Sequence, residues 1–187
     1  MNEVLKALRE RRSIRSFTGL PVSDEDLKTV LDITAFAPTS RNSQAFHITV
    51  IKGLDNIAKL NKEVVRANQK PGYERYQKST ASPGYSINFH SAPVFLTVGV
   101  DPTKTNNPRE DGALVLAYIL LAAHSLGLGA CWINQLGLVG DEPEFRAYLT
   151  ALGFPTAHTL TGSACLGHPA QKAGLPDRTY GRFNIVG

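Results

Sequence analysis

Apolar residues recur at helical spacing in five parts of the chain. The predicted helices cover residues 2–10, 23–37, 54–65, 110–129 and 141–153. The second helix begins at Ser23, which stands three residues before Asp26 in the spacing of a capping box. It ends before Pro38, because a proline keeps the preceding residue out of the helical region. The helix over residues 110–129 is apolar on nearly every side, so we expect it to be central or to lie in a subunit interface.

Four other segments have the pattern of strands. The predicted strands cover residues 45–51, 92–100, 130–134 and 158–167. Residues 45–51 alternate apolar and polar, whereas residues 92–100 are continuously apolar, as in a strand buried on both faces. Residues 66–86 are polar and contain two prolines and three tyrosines without a clear period, so they predict a long loop or lid. Because no repeat and no domain boundary is visible, the pattern predicts one α+β domain over residues 1–187.

Composition disfavours several classes of protein. The chain has 187 residues and a net charge of +4, which is a mild excess of basic over acidic residues. Because its basic residues are also not interleaved with aromatic ones, we predict no nucleic-acid partner. The longest apolar stretch is too short for a membrane span, and the N-terminus lacks the pattern of a secretion signal, so we predict a cytoplasmic protein with no membrane partner. Cys131 and Cys165 have no metal-ligand spacing and are expected to be reduced core residues.

The segment RERRSIRSFTG, residues 9–19, carries the first candidate chemistry. Four arginines stand within seven residues and repel one another, which suggests that an anion lies nearby. If residues 11–15 are extended, Arg11, Ser13 and Arg15 point to the same side. Two guanidinium groups and a hydroxyl then suit a phosphate monoester, because arginine donates a planar fork that matches phosphate oxygens. The alternative is a solvated basic helix end, which the helix dipole stabilises.

Two later segments extend this motif into a family resemblance. Residues 36–51 read FAPTSRNSQAFHITVI, a helix end followed by a polar turn and a strand. Residues 122–134 read AAHSLGLGACWIN, a buried helix followed by Gly-x-Gly and a strand. In this order and spacing, the chain resembles the nitroreductase family of FMN-dependent flavoproteins from about residue 5 to residue 182. The resemblance implies a three-layer α+β fold, with helices flanking a central mixed or antiparallel sheet and the long buried helix at a dimer interface.

The resemblance also implies which residues hold FMN. The phosphate and ribityl chain are assigned to Arg11, Arg12, Ser13 and Arg15, with Arg12 acting through its backbone. The turn that reaches the flavin of the other subunit is assigned to Pro38, Thr39, Ser40, Asn42 and Gln44. The strand end that passes the flavin ring is assigned to Trp132, Ile133, Asn134 and Gln135, although Trp132 could equally be a core residue. The basic residues that return to the phosphate are Arg178 and Arg182.

The activity implied by the resemblance is hydride transfer through the flavin of a homodimer. NADH or NADPH gives a hydride to flavin N5 and leaves, and an electron-poor acceptor such as a nitroaromatic or a quinone then takes the electrons. The flavin carries the chemistry, so no protein residue is assigned as catalytic, and His90 is expected to be structural or at the surface. Asn134 and Gln135 stand where many relatives carry Gly or Glu-Gly, and Asp177 stands where many carry a basic residue. The alternative is therefore an FMN-binding sensor or carrier without significant NAD(P)H turnover.

Overall fold

The structure is a computed structural model and describes residues 1–72 and 89–187. These residues contain six α-helices and four strands. The helices are α1 (Glu3–Glu10), α2 (Asp24–Asp32), α3 (Leu54–Asn68), α4 (Pro108–Ser125), α5 (Gln135–Val139) and α6 (Pro143–Ala151). The strands are β1 (Phe46–Lys52), β2 (Val94–Val100), β3 (Gly129–Ile133) and β4 (Thr159–Gly167). Two short 3₁₀ helices cover Ile33–Phe36 and Ser40–Asn42.

The four strands form one antiparallel sheet in the order β1-β2-β4-β3. All seven residues of β2 are buried, as its continuous apolar run predicts. An isolated parallel bridge joins Ser13 to Ala130 of β3, so the arginine segment lies along this edge of the sheet. The sheet is therefore antiparallel in its named strands, with one parallel bridge at its β3 edge.

Helices cover both faces of the sheet. Successive residues of a strand point to opposite faces, and the two neighbours Phe95 and Leu96 of β2 accordingly enter different cores. Leu96 packs in the core that contains Leu116 of α4, together with residues of α2. Phe95 packs in the core that contains Leu60 of α3 and Phe145 of α6, together with residues of α5. This arrangement confirms the predicted three-layer α+β fold.

The second helix has the predicted start and a different end. Ser23 Oγ accepts a hydrogen bond from the backbone N–H of Asp26 at 3.0 Å, so the predicted start is confirmed with Ser23 as N-cap. The Asp26 carboxylate accepts from the Ser23 hydroxyl at 2.7 Å, which differs from the backbone contact of a full capping box. The α-helix ends at Asp32, and the 3₁₀ helix Ile33–Phe36 leads the chain to Pro38. The predicted α-helix over residues 23–37 is therefore too long by one turn. Thr34 contributes to the change, because its hydroxyl donates to the carbonyl of Leu31 at 2.6 Å.

The end of α3 and the helix after β3 also differ from the prediction, and α4 ends at Ser125 rather than at residue 129. The loop predicted over residues 66–86 is wrong for its first residues, because α3 continues to Asn68 and buries Ala67 and Asn68. The rest of that predicted lid, from residue 73 onward, lies outside the described residues. Helix α5 was not predicted, because five residues are too few to show a helical period. Its Leu136 and Val139 nevertheless lie three positions apart and pack in the core.

Candidate functional site

The arginine segment is extended and docked against the start of β3. The backbone N–H of Ile14 donates to the carbonyl of Ala130 at 3.0 Å, and Ser13 pairs with the same residue. Gly129 permits this approach, because a Cβ built on it would lie 2.8 Å from Cγ2 of Ile14. The Gly-x-Gly that precedes β3 thus gives the arginine segment a backbone surface to pack on.

Side chains of the segment alternate between two sides of the chain. Arg12 and Ile14 line a cavity of about 470 Å³ beside His124 of α4. Arg15 lines a different cavity of about 290 Å³. This alternation agrees with the extended conformation that the sequence predicts for residues 11–15, and it places Arg15 opposite Arg12.

Two guanidinium atoms of this segment are buried without a hydrogen-bond partner among the described residues. They are Nη1 of Arg11 and Nε of Arg12. Another nitrogen of Arg12, Nη1, donates to the backbone carbonyl of Arg11. A buried donor left unpaired costs about 1–3 kcal/mol, and more when it is charged. These two donors are therefore suited to an anionic ligand.

The cavity beside Arg15 collects the predicted end of β3. Its lining comprises Arg15, His90, Cys131, Trp132, Ile133, Asn134, Gln135 and Leu138. All four strand-end residues assigned from the sequence are thus brought together with Arg15. Trp132 also packs against the core that contains α4, so it lines the cavity and supports the fold at once.

The sequence reasoning missed three residues of this cavity: His90, Cys131 and Leu138. His90 and the following Ser91 adopt positive φ angles of 53° and 59°, a conformation that is uncommon outside glycine. No local pattern in the sequence marks this turn. Cys131 could have been found, because it lies on the same strand as the assigned residues and two positions before Ile133.

Cys131 has an unusual electrostatic environment. The pKa of Cys131 is lowered to about 4, and the hydrogen bond with the thiol of Cys165 is the largest cause. Burial opposes the shift, whereas a hydrogen bond to His90 and the charge of Arg15 add to it. The same contact with Cys131, together with burial, raises the pKa of Cys165 well above its ordinary value. The negative charge of the pair is therefore favoured on Cys131, and Cys165 is favoured as the neutral thiol.

The polar turn before β1 is organised by Asp111 of α4. Asp111 is only 3% exposed. Its carboxylate accepts hydrogen bonds from the backbone N–H of Ser40 at 2.8 Å, from the hydroxyl of Thr105 at 2.8 Å and from the hydroxyl of Ser43 at 3.5 Å. Asp111 therefore anchors the turn to the start of α4.

Other polar side chains hold the turn in a conformation that L-residues seldom adopt. Arg41, Asn42 and Gln44 have φ angles of 51°, 54° and 47°. The hydroxyl of Thr39 accepts from the backbone N–H of Gln44 at 3.0 Å, and the Gln44 amide donates to the Asn42 side chain at 3.2 Å. Asn107 donates to Ser40 Oγ at 3.1 Å and ties the turn to the loop before α4.

The turn does not reach the cavity of Arg15 within one protomer. None of its assigned residues, Pro38, Thr39, Ser40, Asn42 and Gln44, lines that cavity. Pro38, Asn42 and Gln44 are exposed. Their placement is compatible with the prediction that the turn serves the other subunit.

Arg178 and Arg182, near the C-terminal end, do not line the cavity of Arg15 either. Arg178 lines a cavity of about 790 Å³ together with Arg12 and Asp177. Arg182 is exposed and lines neither this cavity nor that of Arg15. The sequence predicts that Arg178 joins Arg11, Arg12, Ser13 and Arg15 at one phosphate, and within one protomer it shares a cavity with Arg12. Residues 168–187 form no regular element, so the sequence pattern could not position them.

A comparison with known proteins decides the family. A sequence model described as "Nitroreductase family" matches residues 8–168, which is most of the chain. The chain belongs to the nitroreductase family. The family predicted from the three motifs is thereby confirmed.

Two solved structures and one further relative extend the comparison. A nitroreductase with bound FMN from Bacteroides fragilis is 34% identical to this nitroreductase-family chain, with a TM-score of 0.90 and full coverage of both chains. A nitroreductase with bound FMN from Desulfitobacterium hafniense is 27% identical, with a TM-score of 0.83 and coverage of 100% of this chain and 99% of that one. An FMN reductase that uses NAD(P)H, from Bacillus subtilis, is 28% identical over 95% of this chain and 70% of that protein.

The described residues contain neither a membrane-spanning helix nor a cluster of metal-ligating side chains. Within residues 1–72 and 89–187, no helix of this nitroreductase-family protein is long and apolar enough to cross a bilayer. In the same two ranges, no group of three or more His, Cys, Asp or Glu side chains is placed to hold a metal ion.

Proposed function

We propose that the chain is an FMN-dependent oxidoreductase that takes hydride from NADH or NADPH and reduces a nitroaromatic, a quinone or a similar electron-poor acceptor. The observation that carries this proposal is one piece of geometry. The arginine segment docks on β3, and Arg15 shares a cavity with the end of that strand. The FMN-bound structures of relatives and the FMN reductase named above support it.

The residues present suit FMN at its anionic end. Arg11 and Arg12 each carry a buried guanidinium nitrogen that no described residue satisfies. A phosphate supplies the acceptors that these donors lack, and arginine pairs with it by two parallel hydrogen bonds. Ser13 stands between Arg11 and Arg15 in the extended segment and offers a hydroxyl to the remaining acceptor direction.

The cavity of Arg15 suits the edge of a flavin ring. When bound, FMN supplies the hydride chemistry at its ring, and the protein binds and orients it. Asn134 and Gln135 carry amide groups that both donate and accept hydrogen bonds, which matches a ring edge with alternating donors and acceptors. Arg15 places a positive charge beside these amides, where it favours the reduced, anionic form of the ring.

We also propose that the working unit is a homodimer. Apolar side chains remain exposed at several places, among them Val4 and Leu8 of α1 and Phe36, which is 74% exposed. The C-terminal segment carries more, including Val186 at 95% exposure. So much exposed apolar surface is unusual for a monomer and typical of a surface that a partner covers. A second copy would also bring the turn of residues 38–44 to the cavity of its neighbour.

The test of the FMN site compares Arg15→Ala with Lys59→Ala. Both remove one positive charge, but Lys59 lies exposed on α3 and does not line the cavity. A charged hydrogen bond contributes about 1.5–3 kcal/mol, which corresponds to a loss of roughly ten- to a hundredfold in affinity. FMN titration followed by flavin fluorescence measures the dissociation constant of each variant. Equal constants for Arg15→Ala and the unchanged chain would show that FMN is not held here.

A further inference from the structure

Cys131 and Cys165 stand directly opposite each other on β3 and β4. Facing residues in antiparallel strands have Cα atoms about 4.5–5.5 Å apart, which lies within the separation of about 4.4–6.8 Å that a disulfide spans. Both side chains point into the same core, and Sγ of Cys165 lies 3.7 Å from the carbonyl oxygen of Cys131. The backbone therefore already holds the two residues at bonding range.

The two thiols have different surroundings. Cys131 is only 2% exposed, and it lines the cavity of about 290 Å³ together with Arg15 and His90, so it is the cysteine nearer to a small molecule in that cavity. The hydrogen bond with Cys165, followed by the hydrogen bond to His90 and the charge of Arg15, favours the thiolate, which is the nucleophilic form. Cys165 is fully buried, and it is the thiol that lies opposite Cys131 and can react with it in a second step. One cysteine is thus placed to react and the other to complete a pair.

We propose that Cys131 and Cys165 form a redox-active dithiol, in which hydrogen peroxide oxidises Cys131 at the cavity and Cys165 then closes a disulfide. This site goes beyond the proposed hydride transfer. It uses the cavity proposed above for the flavin edge, but every group in the reaction belongs to the protein or to the added peroxide.

The reaction balances in two steps. The Cys131 thiolate attacks one oxygen of hydrogen peroxide, so an S–O bond forms, the O–O bond breaks, and hydroxide leaves and becomes water on taking a proton. The sulfur loses two electrons to the peroxide and becomes a sulfenic acid. The sulfur of Cys165 then attacks that of Cys131, the S–O bond breaks, and the leaving hydroxide carries away the proton of Cys165 as water. An added dithiol such as dithiothreitol reverses the change and becomes a disulfide itself.

The experiment treats the full chain, reduced and then freed of reductant, with hydrogen peroxide. Free thiols are counted by alkylation and intact mass after denaturation, and disulfides are located by non-reducing peptide mapping. We expect two free thiols to fall to none, one peptide pair joined through Cys131 and Cys165, and full recovery with dithiothreitol. Peptide mapping uses the unaltered chain, so this result does not depend on whether a variant folds.

Two matched variants test the order of events. Cys165→Ser should stop at the first step, so dimedone should trap one sulfenic acid at Cys131. Cys131→Ser should keep its remaining thiol and react roughly tenfold or more slowly, because a protonated buried thiol is a poor nucleophile. The proposal is overturned if the folded chain keeps both thiols at a peroxide concentration that oxidises the urea-unfolded chain. It is equally overturned if the disulfides found join two different chains.

Discussion

Replacing Asp111 by alanine tests whether one buried carboxylate holds the turn of residues 38–44. Asp111→Ala removes the acceptor for the backbone N–H of Ser40 and for the hydroxyl of Thr105, each 2.8 Å from a carboxylate oxygen. The hydroxyl of Ser43, at 3.5 Å, loses a weaker contact. Asp111→Asn keeps the shape of the side chain and one of its two acceptor oxygens. The neighbouring Glu110→Ala is the control, because Glu110 is exposed and belongs to the same first turn of α4.

The magnitude follows from the two short hydrogen bonds. A hydrogen bond to a charged group contributes about 1.5–3 kcal/mol, so losing both costs about 3–5 kcal/mol in the free energy of unfolding after partial relaxation of the Thr105 hydroxyl. Asp111→Asn should cost about 1–2 kcal/mol, since its bonds are neutral and roughly half as strong. Glu110→Ala should stay within about 0.5 kcal/mol, as is usual for exposed positions.

Urea unfolding at one fixed protein concentration measures all three variants, because a dimer's stability depends on concentration. We expect Asp111→Ala to be the least stable, Asp111→Asn to be intermediate and Glu110→Ala to be the most stable. Amide hydrogen exchange of Ser40 should accelerate in Asp111→Ala and remain slow in Glu110→Ala. A free energy of unfolding for Asp111→Ala within about 0.5 kcal/mol of the unchanged chain would refute the reasoning.

Two further predictions concern packing and charge. Gly112→Ala should destabilise the fold by more than about 2 kcal/mol, because its Cβ would collide with the side chain of Thr161. Gly137→Ala is the control and should not destabilise it to this extent, because its Cβ would lie 3.9 Å from its nearest neighbour. Thermal unfolding measures both variants. The pKa of about 4 predicts that Cys131 stays a thiolate from neutral pH down to about pH 5 and takes up a proton only below that. The difference in ultraviolet thiolate absorbance between the unchanged chain and Cys131→Ser should therefore be constant over this range, and a change near pH 8 would contradict it.

Local patterns predicted the parts of the fold that depend on neighbouring residues. The apolar run of β2 is buried along its whole length, and Ser23 caps the start of α2. The alternation of the arginine segment also follows from its local geometry, since Arg12 and Arg15 face different cavities. These features need only the periods of helix and strand and the chemistry of a cap.

The parts that could not be predicted depend on residues far apart in the chain. Ser40 and Asp111 are 71 positions apart, and no periodic pattern links them. His90 enters the cavity through a turn with positive φ, which its residue type does not signal. Arg178 was assigned from its motif alone, and its place beside Arg12 follows from the path of a segment without regular structure.

The visible absorption spectrum of the purified chain tests the central claim most directly. The spectrum is recorded without oxygen, after FMN loading and removal of free flavin, before and after addition of NADH or NADPH. The account predicts a yellow protein, with about one FMN per chain, that bleaches on addition of at least one of the two donors. A protein that stays yellow with both would contradict the reductase and favour a flavin sensor or carrier. A protein that retains no FMN would show that the arginines of residues 11–15 hold a different anion.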